Sequence, residues 1–260
     1  LSVTQAKGLL PVFANGIEAA DLEKISDVAV AALAPKTFAA LTNIIGLTSD
    51  NAGLITPAQI NALTSQQVTA LGSNNDLQYL SNAALAGLDK KNIVGIDLTK
   101  LTSDQFASLT ADQLNTLATY NAASKVTGVT HITADEIAAL TVTQAKGLSI
   151  AFVDALDNAQ IAKLSAEAVA ALAPKAFASA DFSGLTSDNA AAITSAQVAA
   201  LTSDQVTSLA VTNAKLQYAP TGVVAGLTEK NIVGLTDLSS TKITVDQFAA
   251  LKPEQVAALP

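Results

Sequence analysis

The chain has 260 residues, half of them apolar, and its aromatic content is only 4%. Its 14 basic residues are all Lys and stand against 22 acidic ones; the net charge of −8 opposes nucleic acid, whose phosphates need clustered basic groups, and opposes docking on anionic membranes. Without Cys there is no disulfide framework or thiolate chemistry, and no apolar run is long enough for a membrane-spanning helix.

In chain order, the opening LSVTQAKGLL returns as LTVTQAKGLS at Leu140, 139 residues on. AVAALAPKTFAAL from Ala29 returns as AVAALAPKAFASA from Ala168, and KNIVGI at Lys91 as KNIVGL at Lys230. The offset slips to 138 for LTSDN (Leu47, Leu185) and to 142 for DQF (Asp104, Asp246). The organisation read from this is a first long copy over residues 1–123, a junction at 124–131 and a second copy over 132–260, forming one continuous solenoid. Both ends, Leu1 and Pro260, fall inside the pattern, so the chain is expected to be a segment of a longer protein.

A shorter period runs inside each copy. Large apolar residues recur every eight positions from Leu1 to Leu41, Leu47 to Leu71, Leu80 to Ile96 and Leu101 to Leu117. The second copy follows suit, with an extra octad at Ile132 and the landmark lost at Ala180. Short spacers such as TNIIG (residues 42–46) and DLTK (residues 97–100) separate the runs.

The octad from Ile193 carries a complete helix start. Thr194 can cap with its hydroxyl, Gln197 can reach back to the cap's own N–H, and Ile193 and Val198 form a hydrophobic staple. The same assignment fits Leu101/Thr102/Gln105/Phe106, Leu109/Thr110/Gln113/Leu114, Ile132/Thr133/Glu136/Ile137 and Leu156/Asp157/Gln160/Ile161. Pro35, Pro57, Pro174 and Pro253 fall at first helical positions, and Asp104, Asp112, Asp204 and Asp246 suit the positive helix end. Small residues close most octads (Gly8, Ala32, Ala62, Gly95, Ser108, Gly147, Ala200, Gly234), which allows close helix approach, and Gly eases the helix exit.

One long helix is excluded, because an eight-residue mark drifts by about 80° per octad and forms no stripe. A strand is disfavoured because the first and sixth octad positions would face opposite sides. The expected fold is therefore all-α: an elongated solenoid of capped helices about two turns long, each too short to stand alone. The alternative is a leucine-rich-repeat-like α/β solenoid with short strands at the β-branched NIIGL, NIVGI and NIVGL spacers.

Strings such as ITSAQVAALTSDQVTSL and LTSDQFASLTADQLNTL resemble the tandem LTxxQVxAL segments of very large secreted or surface-exposed bacterial adhesin and haemagglutinin-like proteins. The resemblance covers nearly the whole chain and implies an extended stalk or adhesive spacer, secreted or at a bacterial cell surface, with no active-site residues carried over. LTSDQV also looks like the first helix of the DNA-reading repeats of transcription-activator-like effectors. Those units are much longer and hold a variable base-reading pair, which this chain lacks.

No catalytic set converges. His131 is the only histidine, so neither a multi-histidine metal site nor a nucleophile-elbow triad is supported. No calcium-loop signature is present, although calcium at helix junctions stays open. No cofactor is expected, and the chain is read as a non-catalytic structural or interaction module. Tyr79 and Tyr218, in LQY at the same point of each copy, are the candidate contacts for a protein or glycan partner at a cell surface. Alternatives are a specific protein- or glycan-binding solenoid receptor and a component of a surface-layer lattice.

Overall fold

A computed structural model describes residues 1–73, 76–119 and 132–260; the expected junction 124–131, with His131, lies outside the described residues. Among the described residues every regular element is helical and none is a strand, so the chain is all-α. The strands of the α/β alternative are thereby corrected. Ile44–Gly46 and Ile232–Gly234 are 3₁₀ turns, and Lys90–Ile93 is an α-helix. Strand preference expresses packing on a pleated surface, and these segments have no ladder partner. A local cap decides instead: Asp89 Oδ1 accepts the Asn92 N–H at 2.9 Å and starts the helix.

The capping boxes form as the octads require. Thr194 Oγ1 accepts from Gln197 N–H at 3.3 Å, and Gln197 Oε1 accepts from Thr194 N–H at 2.9 Å. Thr102/Gln105, Thr133/Glu136, Thr141/Gln144 and Asp157/Gln160 close the same way. The staple residues Ile193 and Val198 are both buried. Pro35, Pro57, Pro174 and Pro253 each open a helix.

Most of the helices span four to six residues, shorter than the two turns expected. The octad spends two residues on its corner. Leu148 (φ −63°, ψ 136°) closes one helix in extended conformation, and Ser149 (φ −77°, ψ 161°) caps the next. Helices therefore leave through the apolar landmark itself. No described glycine has positive φ, which corrects the expectation that Gly eases the exit. Its use is close approach: a Cβ on Gly234 would collide with Ser203 O and stand 3.0 Å from Val206 Cβ.

Contacts divide the chain into two units, residues 1–131 and 132–260. In the first, elements pack on the third element after them. Val3–Gly8 lies on Asp27–Ala31, Pro11–Ala14 on Pro35–Ala39, and Ala19–Leu22 on Ile44–Gly46. These second three lie in turn on Ser49–Gly53, Pro57–Ala62 and Ser65–Ser73. Three octad-length elements thus make one tier. The spacers are not mere separators: Ile44–Gly46 fills a place that helices occupy in other tiers. The second unit repeats the register, with Ala134–Ala138 on Asn158–Lys163, Val142–Gly147 on Ala166–Ala171, and Ile150–Asp154 on Pro174–Phe177.

One departure between the copies has a clear cause. The helix Ser65–Ser73 corresponds to Ser203–Val206 followed by a π-helix, Thr207–Thr212. The second copy has one residue more between Leu209 and Leu216 than the first has between Leu71 and Leu77. A π turn takes up a single extra residue without breaking the helix, and Ala214, at φ 53°, then ends it.

Candidate functional site

The most repeated chemical arrangement is built on the glutamines of the capping boxes. Each short helix leaves its last carbonyls without an intrahelical partner, and here those carbonyls are buried under the next tier. Gln59 Nε2 donates to Val30 O at 2.9 Å and Leu33 O at 3.0 Å. Gln105 donates to Leu77 O and Leu80 O, both at 2.8 Å. In the second unit Gln197 donates to Val169 O at 2.6 Å and Leu172 O at 3.1 Å, and Gln247 to Leu216 O and Ala219 O at 2.8 Å each. Asn189 and Asn231 serve the shorter elements, reaching Ile161 O at 3.0 Å and Leu201 O at 2.9 Å.

One amide therefore does two things: its oxygen starts its own helix, and its nitrogen ties off a helix one tier earlier. A glutamate can fill the first role but, ionised, cannot donate for the second. Reasoning from the octad alone predicts the box and misses the tie. The signal was in the residue choice, because a capping box admits Glu as readily as Gln, yet Glu136 alone stands among the many Gln boxes. Glu136 lies in the helix that opens the second unit, where no earlier tier of that unit exists.

Tyr79 and Tyr218 end the 3₁₀ turns Asp76–Tyr79 and Leu216–Tyr218, and both are 46% exposed. They belong to different units. The dispersed carboxylates Asp50, Asp188, Asp104 and Asp246 are exposed in first helical turns. Lys24 pairs with Asp21 at 3.4 Å, whereas its copy Lys163 reaches Asp135 on the preceding tier at 3.8 Å.

Asp76 is a buried acid whose ionisation is strongly altered. Burial pushes its carboxyl up to about 6, and its Oδ2 has no hydrogen-bond partner. The first copy's Asp76 corresponds to Lys215 in the second. At the surface, Asp237 is held below its ordinary value, chiefly because it accepts the Ser239 N–H at 2.9 Å.

Shallow grooves among the described residues of the second unit include three. One, about 770 Å³, runs along the corners at Leu201, Thr202, Ser203, Thr228, Glu229 and Lys230. Another, about 470 Å³, is lined in part by Asp154, Asp181 and Asp204. Asp181 spends one oxygen on Ser183 N–H at 2.9 Å. Among the described residues no three potential ligands gather into a metal-binding group, and no helix is long and apolar enough to cross a membrane. The third, about 300 Å³, is lined by Leu238, Ser240, Ile243, Thr244, Val245 and Phe248.

No protein-family model, curated protein or solved structure matches the chain at a significant level.

Proposed function

We propose that the chain is a non-catalytic structural module, a solenoid of three-element tiers that serves as a stalk or adhesive spacer in a larger exported bacterial protein, secreted or at the cell surface. The observation that carries the reading is the glutamine tie, which recurs from tier to tier and commits the most regular chemistry of the sequence to stacking. A repeated device of this kind sets length, and its outward polar positions offer a ribbon for multivalent contact. The likeness of the LTxxQVxAL strings to adhesin segments points the same way.

Solution X-ray scattering with circular dichroism tests it. A compact globule of 260 residues has a radius of gyration of about 18 Å. A clearly larger value, a rod-like distance distribution and a helical spectrum are expected. A value at the globular limit overturns the proposal.

A second reading, a protein- or glycan-binding receptor, is favoured by the matched exposure of Tyr79 and Tyr218. It requires that Tyr79→Ala and Tyr218→Ala abolish cell binding while leaving the helical spectrum intact.

A further inference from the structure

The position from which the ties are made is not always held by an amide. It lies just before a buried apolar side chain: Gln59 precedes Ile60, Gln67 precedes Val68 and Gln105 precedes Phe106. Thr37 holds it before Phe38, and there a hydroxyl makes the tie, donating to Leu9 O at 2.9 Å. Asp76 holds it before Leu77. Unlike an amide or a hydroxyl, a carboxyl donates only while it keeps its proton. In the second unit Lys215 stands in its place, so no carboxyl is present there.

The register supplies the acceptor. Pro35–Ala39 lies on Pro11–Ala14, and Thr37 reaches Leu9, which closes the helix ahead of Pro11. Pro57–Ala62 lies on Pro35–Ala39, and Gln59 reaches Leu33, just ahead of that helix. Asp76–Tyr79 lies on Ser49–Gly53, and the residue in the matching place is Leu47, which closes the Ile44–Gly46 turn. Asp76 is 6% exposed and its Oδ2 has no hydrogen-bond partner, the condition of a carboxylate oxygen set against a carbonyl. Of the elements packed on the turn, Ser49–Gly53 carries the exposed Asp50 and Ser65–Ser73 carries no charge. Asp97, Lys100 and Asp104, on the elements that follow, are all exposed.

We propose that Asp76 is a proton-gated tie: with its proton it donates to Leu47 O and holds the Asp76–Tyr79 turn to the earlier tier, and without it the turn is released. The turn that carries Tyr79 in the first unit then responds to pH, and the Leu216–Tyr218 turn of the second does not. Burial pushes the carboxyl up from 3.8 to about 6. A group raised in this way stabilises fully below its unfolded value, and that support is lost as pH rises through the folded value. The tie is therefore closed in acid and open at neutral pH and above. The proposal goes beyond the stalk reading, which involves no titration.

Amide hydrogen exchange tests it. The Leu80 N–H donates to Leu77 O at 3.1 Å, so its exchange reads opening of the turn. After correction for the intrinsic pH dependence of exchange, its protection should fall roughly three- to tenfold between pH 5 and pH 7.5. The matching Ala219 N–H, which donates to Leu216 O at 3.0 Å, should show no such fall. Asp76→Asn keeps a donor and cannot ionise, so its protection should stay at the wild-type pH 5 level at both pH values. Asp76→Ala has neither donor nor charge and should lie about threefold or more below Asp76→Asn at both. Asp76→Leu repeats that arm should the alanine variant fail to fold. Constant wild-type protection overturns the proposal, as does a fall that Ala219 shares or that Asp76→Asn retains. Equal protection in the apolar variants and Asp76→Asn also overturns it, because burial of the charge alone would then account for the response.

Discussion

Replacing Gln197 by Glu separates the two tasks of the capping amide. The side chain keeps its length and an oxygen for the Thr194 N–H, so the helix start survives. The nitrogen that donates to Val169 O at 2.6 Å and Leu172 O at 3.1 Å becomes an oxygen. Two hydrogen bonds worth about 1 kcal/mol each disappear, and two buried carbonyls lose their donor at about 1–3 kcal/mol apiece when nothing replaces it. Gln197 is fully buried, so a carboxylate there faces carbonyl oxygens without solvent. Partial relaxation offsets some of this, and the expected loss at pH 7 is about 3–5 kcal/mol.

Thr194→Val removes only the hydroxyl of the box and should cost about 1 kcal/mol. Urea denaturation of the three proteins at pH 7 ranks them. A second signature comes from pH, because burial holds the new carboxyl above its ordinary value. A group raised in the folded state supports folding most below its unfolded value, about 4.3, and loses that support as pH rises through the folded value. Gln197→Glu should therefore recover towards wild type as pH falls to about 4, where the protonated acid again donates one hydrogen bond. A variant within about 0.5 kcal/mol of wild type at pH 7 would refute the tie as a source of stability.

Three further expectations use contrasts inside the chain. Gly234→Ala should destabilise by about 1–3 kcal/mol through overpacking against Ser203 and Val206, whereas Gly8→Ala, with nothing within 4 Å, should be neutral or gain up to about 1 kcal/mol of helix propensity in thermal melts. Asn51 is fully buried and neither polar atom of its side chain finds a partner, while its counterpart Asn189 donates to Ile161 O at 3.0 Å. In urea titrations, Asn51→Leu should then be neutral or stabilising and Asn189→Leu should cost about 1–3 kcal/mol; equal effects would contradict the assignment. Asp76→Asn should stabilise by about 1 kcal/mol, after discounting for solvent screening, at pH 7.5 and not at pH 3.5. The native carboxyl binds its proton more tightly folded than unfolded, so wild-type stability falls as pH climbs from 3.8 to about 6 and stays reduced above that.

What the sequence displayed was whatever lies within one octad. Thr194, Gln197, Ile193 and Val198 are at most five positions apart, so their box and staple follow from local geometry. The tier depends on residues roughly three octads apart, and no motif of eight can display that spacing. The spacers misled for a related reason. Ile44 and Ile232 are β-branched, but each sits in a helical turn that stacks on elements far along the chain. The glycines were expected to act through backbone freedom, and Gly234 acts through the absence of a Cβ. Among the candidate contacts, the recurrence of Tyr79 and Tyr218 was plain from LQY, and their equal exposure follows from the duplication. Asp76 carried no local signal, since its altered ionisation comes from burial by other parts of the fold.

The glutamine ties also have a direction. In each tie among the described residues the donor is the later residue and the acceptor the earlier: Gln59 to Val30, Gln105 to Leu77, Gln197 to Val169, Gln255 to Val224. A chain emerging N-terminus first therefore always lays its next amide onto a ledge of carbonyls that has already been made. No amide of a tie waits for sequence still to come; only the carbonyls of the newest tier do. Assembly can keep pace with synthesis, advancing by single tiers, and a nascent chain halted at any octad strands at most one row of acceptors.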